Sequence, residues 1–431
     1  MKKLFVLCLV AFALVACSPK EKNATQVDKE EDEHAMNEEL IGKWAGDIEL
    51  PNGSLPIIVD LQKESGTLSV PAQGLSNYPF KTVSYNDNKV HIIIRLNGSA
   101  IEVNGTLKDE QIKATFNQNG GEFPLILKRY EEQPEQPVSY ETFTVPVKDG
   151  DLTVALQKSS NKPSPVVLII AGSGPTDKDG NSAIAGKNNS LKMLAEGLAQ
   201  EGIASVRYDK RGIGDNASLL KKEEDISIDQ YVDDAVQIIH ALSANQAFSS
   251  VHIIGHSEGS LIGMLAAQKT NVESFVSIAG AGRTADTLLL EQLSGQLTPA
   301  LTTETNMILA ALKKGEQVQH VSPELQALFR PSVQPYMMSW LKYNPATELQ
   351  HVKGRVLLIQ GTTDIQVNAT DAEALKQGNE KAELLYLEGM NHILKSAPED
   401  RTKNLATYAD PTLPLHPKLL PAIYKFIAND Q

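Results

Sequence analysis

Two textures of hydrophobic patterning divide the chain. From Leu40 to Tyr130 apolar and polar positions alternate over short stretches, such as Leu55 to Leu61, Val90 to Leu96, Ile101 to Leu107 and Phe123 to Leu127, separated by Asn-Gly, Gly and Asn/Asp turns. Alternation with period two buries one face of a strand, so residues 40–130 are expected to form a small antiparallel all-β unit, a barrel or sandwich. After about Tyr140 the runs lose that alternation: Val166 to Ile170, Ile203 to Tyr208, Val251 to Ile254, Phe275 to Ile278, Val356 to Gln360 and Leu384 to Leu387 are continuously apolar. Strands covered on both faces read this way. Helical spacing lies between them, with Leu191, Leu194 and Leu198 on one face of Ser190 to Glu201, and Val232, Ala235, Ile238 and Ile239 on one face of Ile228 to Leu242. Strands alternating with helices predict a mostly parallel central sheet, hence an α/β domain over residues 140–431.

The segments outside these units have a different texture. Residues 131–139 are polar with two prolines, the composition of a linker. Residues 19–39 carry the acidic and basic run Asp28 to Glu33 and no aromatic residue, too little apolar surface to fold, and read as a tether. Ahead of them Lys2-Lys3 precede the apolar run Leu4 to Ala16, which has the length of a secretory signal and is too short to span a bilayer. Its end, Leu14-Val15-Ala16-Cys17, resembles the bacterial lipobox. That resemblance implies removal of residues 1–16, lipidation of Cys17 and a membrane contact through the lipid. Ser18 in place of Asp implies, by the lipoprotein sorting pattern, an outer-membrane address in the cell envelope.

Composition narrows the function. The chain has 431 residues, 41% hydrophobic and 22% charged, ordinary for globular domains. A formal net charge of −13 and the lack of a basic patch argue against a nucleic-acid partner. Both cysteines, Cys8 and Cys17, precede the folded units, so neither a disulfide scaffold nor a thiolate metal site is expected.

The chemistry concentrates in the α/β half. Gly255-His256-Ser257-Glu258-Gly259 fits G-x-S-x-G, with a strand running directly into it and the helical pattern Ser260 to Lys269 running out. A strand-to-helix turn of this kind lifts a serine side chain clear of the sheet. A serine nucleophile needs a base, and the base needs an orienting acid, in the chain order Ser, Asp or Glu, His. Asp364 follows the strand Val356 to Gln360, and His392 follows Leu384 to Leu387. The loop after Phe275 to Ile278 reads Ala279-Gly280-Ala281-Gly282 and offers no competing carboxylate. His252 and His256 are expected to pack or bond locally, His351 and His320 are misplaced for the role, and His416 is the nearest rival of His392. The oxyanion donors are expected from the N–H of Glu258 and from the loop Ala171-Gly172-Ser173-Gly174-Pro175, with Ser173 preferred and Gly172 as the alternative. Asp177 to Asn181 is read as a turn, since its spacing fails the calcium-loop pattern. The charges of Arg207 to Gly212 are expected to pair with one another and to lie outside the site.

At these residues the chain from about Tyr140 to Gln431 resembles the α/β-hydrolase superfamily. The segments AGSGPTDKDGN, RYDKRGIGDN, GHSEGS and QGTTDIQV are similar to those of bacterial serine carboxylesterases related to the aminopeptidase-like hydrolases. The resemblance implies a Ser257, Asp364 and His392 triad, no cofactor, and a helical cap after the sixth strand, here about residues 283–343. Leu288 to Leu290, Met307 to Leu312 and Met337 to Trp340 would then line a pocket for an apolar group, or pack the cap on the domain. The expected activity is hydrolysis of a small-molecule ester. Two alternatives stand beside it: a serine peptidase, aminopeptidase or amidase, which would need Asp177 or Asp179 to hold a substrate ammonium group, and a surface binding protein on an inactive scaffold. The β unit carries no catalytic cluster and reads as a spacer or wall.

Overall fold

The structure, a computed structural model, describes residues 37–50, 53–70, 75–96, 99–118, 121–130, 140–160, 163–182 and 186–428. The signal segment, Cys17, most of the tether and the linker 131–139 lie outside them. The described chain divides into two compact units, one before and one after that linker.

The first unit is a nine-stranded antiparallel sheet. Its strands are β1 (Gly42–Leu50), β2 (Gly53–Leu61), β3 (Gly66–Val70), β4 (Leu75–Pro79), β5 (Thr82–Asn86), β6 (Lys89–Leu96), β7 (Ser99–Lys108), β8 (Gln111–Gln118) and β9 (Gly121–Arg129), in the order β4-β3-β2-β1-β9-β8-β7-β6-β5. The alternation seen in the sequence sets the faces: Ile57, Val59 and Leu61, Val90, Ile92 and Ile94, and Leu125 and Leu127 all point into one core. Cross-strand pairs such as Ile92 with Val103 and Ile94 with Ile101 keep that register, because a one-residue slip would turn every apolar side chain to water. The two edge strands are consecutive in the chain and the sheet curls to bring them round, with the Tyr78 hydroxyl donating to Arg95 O at 2.7 Å and Tyr85 to Gln62 O at 2.6 Å. The unit starts earlier than Leu40. Asn37 donates through its backbone to Asp87 O and through its side chain to Asn88, and its carboxamide caps the 3-10 turn Glu38–Leu40, so residues 37–39 belong to the fold and not to the tether.

The second unit is built on an eight-stranded sheet of β10 (Glu141–Val147), β11 (Gly150–Gln157), β12 (Ser164–Ile170), β13 (Ala204–Arg207), β14 (Phe248–His256), β15 (Ser274–Ile278), β16 (Arg355–Gly361) and β17 (Glu383–Leu387), ordered β10-β11-β13-β12-β14-β15-β16-β17. All neighbours from β13 to β17 are parallel. Their side chains are enclosed between two cores, one lying on Val166, Leu168 and Ile170 and the other on Val167 and Ile169, which is why these strands read as unbroken apolar runs. The first two strands form an antiparallel hairpin about Lys148-Asp149, with Asp149 at φ 74°.

The helices are α1 (Ser190–Gln200), α2 (Ile228–Ser243), α3 (Glu258–Lys269), α4 (Ala285–Leu293), α5 (Pro299–Lys313), α6 (Gln326–Phe329), α7 (Gln334–Leu341), α8 (Pro345–Leu349), α9 (Ala369–Gly378), α10 (Arg401–Ala406) and α11 (Leu419–Ala428). Helices α4 to α7 fill the interval between the sixth and seventh strands of this sheet, the place of the expected cap. Arg283 anchors its start: the guanidinium makes two bonds to Asp371 on α9, at 2.7 and 3.1 Å, and that carboxylate also takes the N–H groups of Gly282 and Arg283. Met337 is fully buried in the core and Met307 is 68% exposed. Among the described residues no helix is long and apolar enough to cross a membrane.

Candidate active site

Parallel strands place their C-terminal ends along one edge, and the candidate residues gather there. Ser257 stands between β14 and α3 with φ 55° and ψ −121°, a conformation that costs a non-glycine residue roughly 1–3 kcal/mol. The surrounding packing enforces it. A Cβ on Gly255 would lie 2.3 Å from Gly259 O, and one on Gly259 would lie 2.2 Å from Ile170 O, so the turn closes only with glycine at both places. Ser257 N–H donates to Ile278 O at 3.0 Å and its carbonyl accepts from Ser260 N–H at 2.9 Å.

His392 follows β17 and Asp364 follows β16. The His392 Nδ1–H donates to Asp364 Oδ2 at 2.8 Å, with both side chains buried. Because the carboxylate can only accept, this bond assigns the proton to Nδ1 and leaves Nε2 as an acceptor. Asp364 is itself fixed: its Oδ1 accepts from the backbone of Gln366 at 2.8 Å and of Val367 at 3.0 Å. His392 is brought to the elbow by His256, whose Nε2–H donates to His392 O at 2.7 Å while the two rings sit 5.0 Å apart. His256 therefore does not bond locally as the sequence suggested; it reaches across 136 residues. Burial first, and then the neighbouring His392, lower its pKa to about 4, so it stays neutral above that pH. The Ser257 hydroxyl makes no hydrogen bond among the described residues, and such pairs often tighten only when substrate is bound.

Ser257 opens into a narrow cavity lined by Ser173, Glu258, Leu261, Leu288, Leu289 and Trp340, with Gln292 and Gln366 at its polar side. Its free space is about 30 Å³, room for one or two waters. Among the described residues neither the Ser173 nor the Glu258 N–H is taken by a backbone acceptor. Gly172 is not part of the lining, but its carbonyl accepts from Lys210 Nζ at 2.7 Å.

Other residues singled out by the sequence fall elsewhere. His252 bonds Ser250 and Ser274 within the sheet, and His416 Nε2 donates to Glu388 O. Asp177 holds its own turn by accepting from the N–H groups of Asp179 and Asn181, and Asp179 pairs with Arg207 at 3.0 Å, so neither carboxylate lines the cavity. Burial raises the pKa of Asp177 to about 6. The charges after β13 do pair, but with other segments: Asp209 with Lys178, Arg211 with Asp234 and Lys210 with Glu258 at 2.8 Å. Lys210 is not part of the cavity lining, but its partner Glu258 is. Leu288, Leu289 and Trp340 do line the cavity, whereas Met307 and Met337 do not. Among the described residues no group of three or more His, Cys, Asp or Glu could hold a metal ion.

Residues 185–398 match the family model described as serine aminopeptidase, S33. The chain is 28% identical over 296 residues to the esterase EstD of Thermotoga maritima, a match covering 65% of this chain and 68% of that one. Among solved structures it is similar to Est1E from Butyrivibrio proteoclasticus, with 16% identity and a TM-score of 0.44 over 67% of this chain and 98% of that one. It is also similar to the α/β hydrolase GrgF from Penicillium sp. sh18, with 19% identity and a TM-score of 0.43 over 59% and 91% of the two chains. With its mixed sheet and its serine at the strand-to-helix turn, the chain is similar, over residues 185–398, to the family described as serine aminopeptidase, S33.

Proposed function

We propose that the protein is a serine carboxylesterase acting on small to medium acyl esters. The observation that supports the reading is the convergence of Ser257, Ser173 and Glu258 on one cavity with apolar side chains around them, the Ser173 and Glu258 N–H groups having no backbone acceptor among the described residues. In this mechanism Ser257 Oγ attacks the ester carbonyl carbon and His392 Nε2 takes its proton. Asp364 holds the ring in the accepting tautomer and stabilises the imidazolium. The two N–H groups receive the oxyanion of the tetrahedral intermediate. Collapse expels the alcohol, which leaves with the proton from His392. Water then repeats the sequence on the acyl-enzyme and releases the acid.

Ester substrates are favoured over aminoacyl ones by the lining itself. The one carboxylate that borders it, Glu258, is already bonded to Lys210 and Tyr336 and so is not offered to a substrate ammonium group. The test is hydrolysis of a short-chain nitrophenyl ester, alongside aminoacyl anilides, by the wild type and by Ser257→Ala. Loss on the order of a millionfold is expected for the variant. Retained activity would remove Ser257 from the mechanism, and faster turnover of anilides would favour the peptidase reading. A wild type that neither hydrolyses esters nor reacts with a serine-directed phosphonate would point to the binding-protein reading. We also propose lipid attachment at Cys17 and an outer-membrane address, tested by fatty-acid labelling of the wild type and of Cys17→Ser. An unlabelled wild type refutes that part.

A further inference from the structure

The sheet order brings a buried ammonium group under both halves of the proposed oxyanion hole. Lys210 follows β13, whose neighbour β12 leads into Gly172 and Ser173, and the next strand, β14, leads into Ser257 and Glu258. The Lys210 side chain is 1% exposed. Its Nζ donates to Gly172 O at 2.7 Å and to Glu258 Oε1 at 2.8 Å, and lies 5.0 Å from the centre of the Tyr231 ring. The other carboxylate oxygen of Glu258 accepts from the hydroxyl of Tyr336, which stands on cap helix α7. Burial, together with the charge of Glu258, raises the Tyr336 pKa well above the ordinary tyrosine value, so it remains a donor.

The geometry has a consequence for the reaction. The carbonyl of Gly172 and the N–H of Ser173 belong to one planar trans peptide, so they point in opposite directions. Holding that carbonyl on Lys210 aims the Ser173 N–H away from the lysine. The same ammonium holds the side chain of Glu258, the residue whose own N–H is the second donor. One cation therefore spans the two loops that must present their N–H groups to a single oxygen.

We infer that Lys210, bridged through Glu258 to Tyr336 of the cap, is a positioning residue that sets the oxyanion hole and ties it to the placement of the cap. The inference rests on the esterase reading. Lys210 touches no reacting atom in it. Its effect is confined to the developing oxyanion, so it acts on the transition state more than on ground-state binding.

The experiment uses the full chain and three variants. Lys210→Met alone would leave Glu258 as an unpaired buried charge, so the double variant Lys210→Met/Glu258→Gln is used to remove both charges, and Tyr336→Phe deletes one cap hydroxyl. Ser257→Ala is run beside them. Kinetics on nitrophenyl butyrate are paired with inhibition by an alkyl trifluoromethyl ketone, in which Ser257 Oγ adds to the carbonyl carbon, its proton passes to His392 and the carbonyl oxygen becomes the oxyanion. Butyrate serves as a ground-state ligand. The expected result is a kcat lowered on the order of a hundredfold in the double variant, a loss typical of misplaced catalytic groups, and about tenfold in Tyr336→Phe, with KM changed less than about threefold. The ketone should weaken by the same factors while butyrate does not. Normal kcat in Tyr336→Phe and in a folded double variant overturns the proposal, as does a lost kcat with unchanged ketone affinity. If the double variant fails to fold, Tyr336→Phe decides by the same two criteria. Should Ser257→Ala remain active, the esterase reading itself fails. An inactive Ser257→Ala beside normal Lys210 and Tyr336 variants removes only the clamp.

Discussion

Replacing Asp364 by Asn tests the proposed machinery at the point where its hydrogen bonds are fully determined. The carboxylate is 1% exposed and accepts on both oxygens, Oδ1 from two backbone N–H groups at 2.8 and 3.0 Å and Oδ2 from His392 Nδ1–H at 2.8 Å and, more distantly, from Gln360 Nε2 at 3.5 Å. An amide has one accepting oxygen and one donating nitrogen. Turning the nitrogen toward the two backbone donors would leave both unsatisfied, at about 1–3 kcal/mol each. The nitrogen therefore faces His392, whose Nδ1 must become the acceptor. The ring proton moves to Nε2, the atom needed to take the proton of Ser257. In triads of this kind the wrong tautomer lowers kcat by about 10⁴, equal to about 5.4 kcal/mol in the barrier. The measurement is kcat and KM on nitrophenyl butyrate, with thermal unfolding as the control for fold and the ¹⁵N signals of His392 as the readout of the tautomer. KM is expected to stay within about threefold, since the acid touches no substrate. A folded Asp364→Asn enzyme with kcat within tenfold of wild type, or one whose His392 proton stays on Nδ1, refutes the argument.

Two further outcomes follow from the cavity and from a buried cation. Trp340→Ala removes the largest side chain lining the cavity and is expected to raise the ratio of kcat/KM for octanoyl over acetyl esters about tenfold, the scale set by apolar pocket contacts; an unchanged chain-length profile would mean that the acyl group binds elsewhere. Lys395 is fully buried, its ammonium bonded to Leu413 O, and burial pushes its pKa down to about 8. An unfolded lysine titrates near 10.4, so between pH 8 and 10 the unfolded chain holds more protons and this residue adds stability as pH rises, whereas below pH 8 its buried charge is a constant cost. Denaturant midpoints of wild type relative to Lys395→Met are expected to rise across that window, and a difference that stays flat contradicts the burial argument.

The parts of this molecule that could be read from sequence are those in which a local pattern carries the whole cause. Val166 to Ile170 had to be apolar at every position because both faces are covered, and Ile57, Val59 and Leu61 had to alternate because one face is. Ser257 was marked by glycines that the close approach of Ile170 O and Gly259 O makes necessary. The hairpin Glu141–Gln157 escaped because at the edge of the sheet its exposed positions mix with buried ones and its strands never form an apolar run. The cap misled for a related reason. Its apolar residues serve two surfaces, and spacing cannot tell Leu289 at the cavity from Met337 in the core.

Lys210 owes its placement to sheet order and not to a local pattern. The charges just beyond β13 read as pairing with one another, whereas the partners of Lys210 lie 38 and 48 residues away, beyond any local signal. Parallel strands nevertheless deliver their C-terminal ends to one edge, and in this sheet β13 and β14 flank β12. Any side chain in the first few residues after β13 must therefore lie near the loops that follow β12, which are the loops proposed to hold the oxyanion. Arg207, Asp209 and Arg211 turn to Asp179, Lys178 and Asp234. Among the described residues Lys210 is the one of these four that meets the carbonyl of Gly172, whose peptide N–H is the proposed oxyanion donor of Ser173. In the proposed role, that single peptide plane separates a charge that sets the oxyanion geometry from one that only shapes a loop.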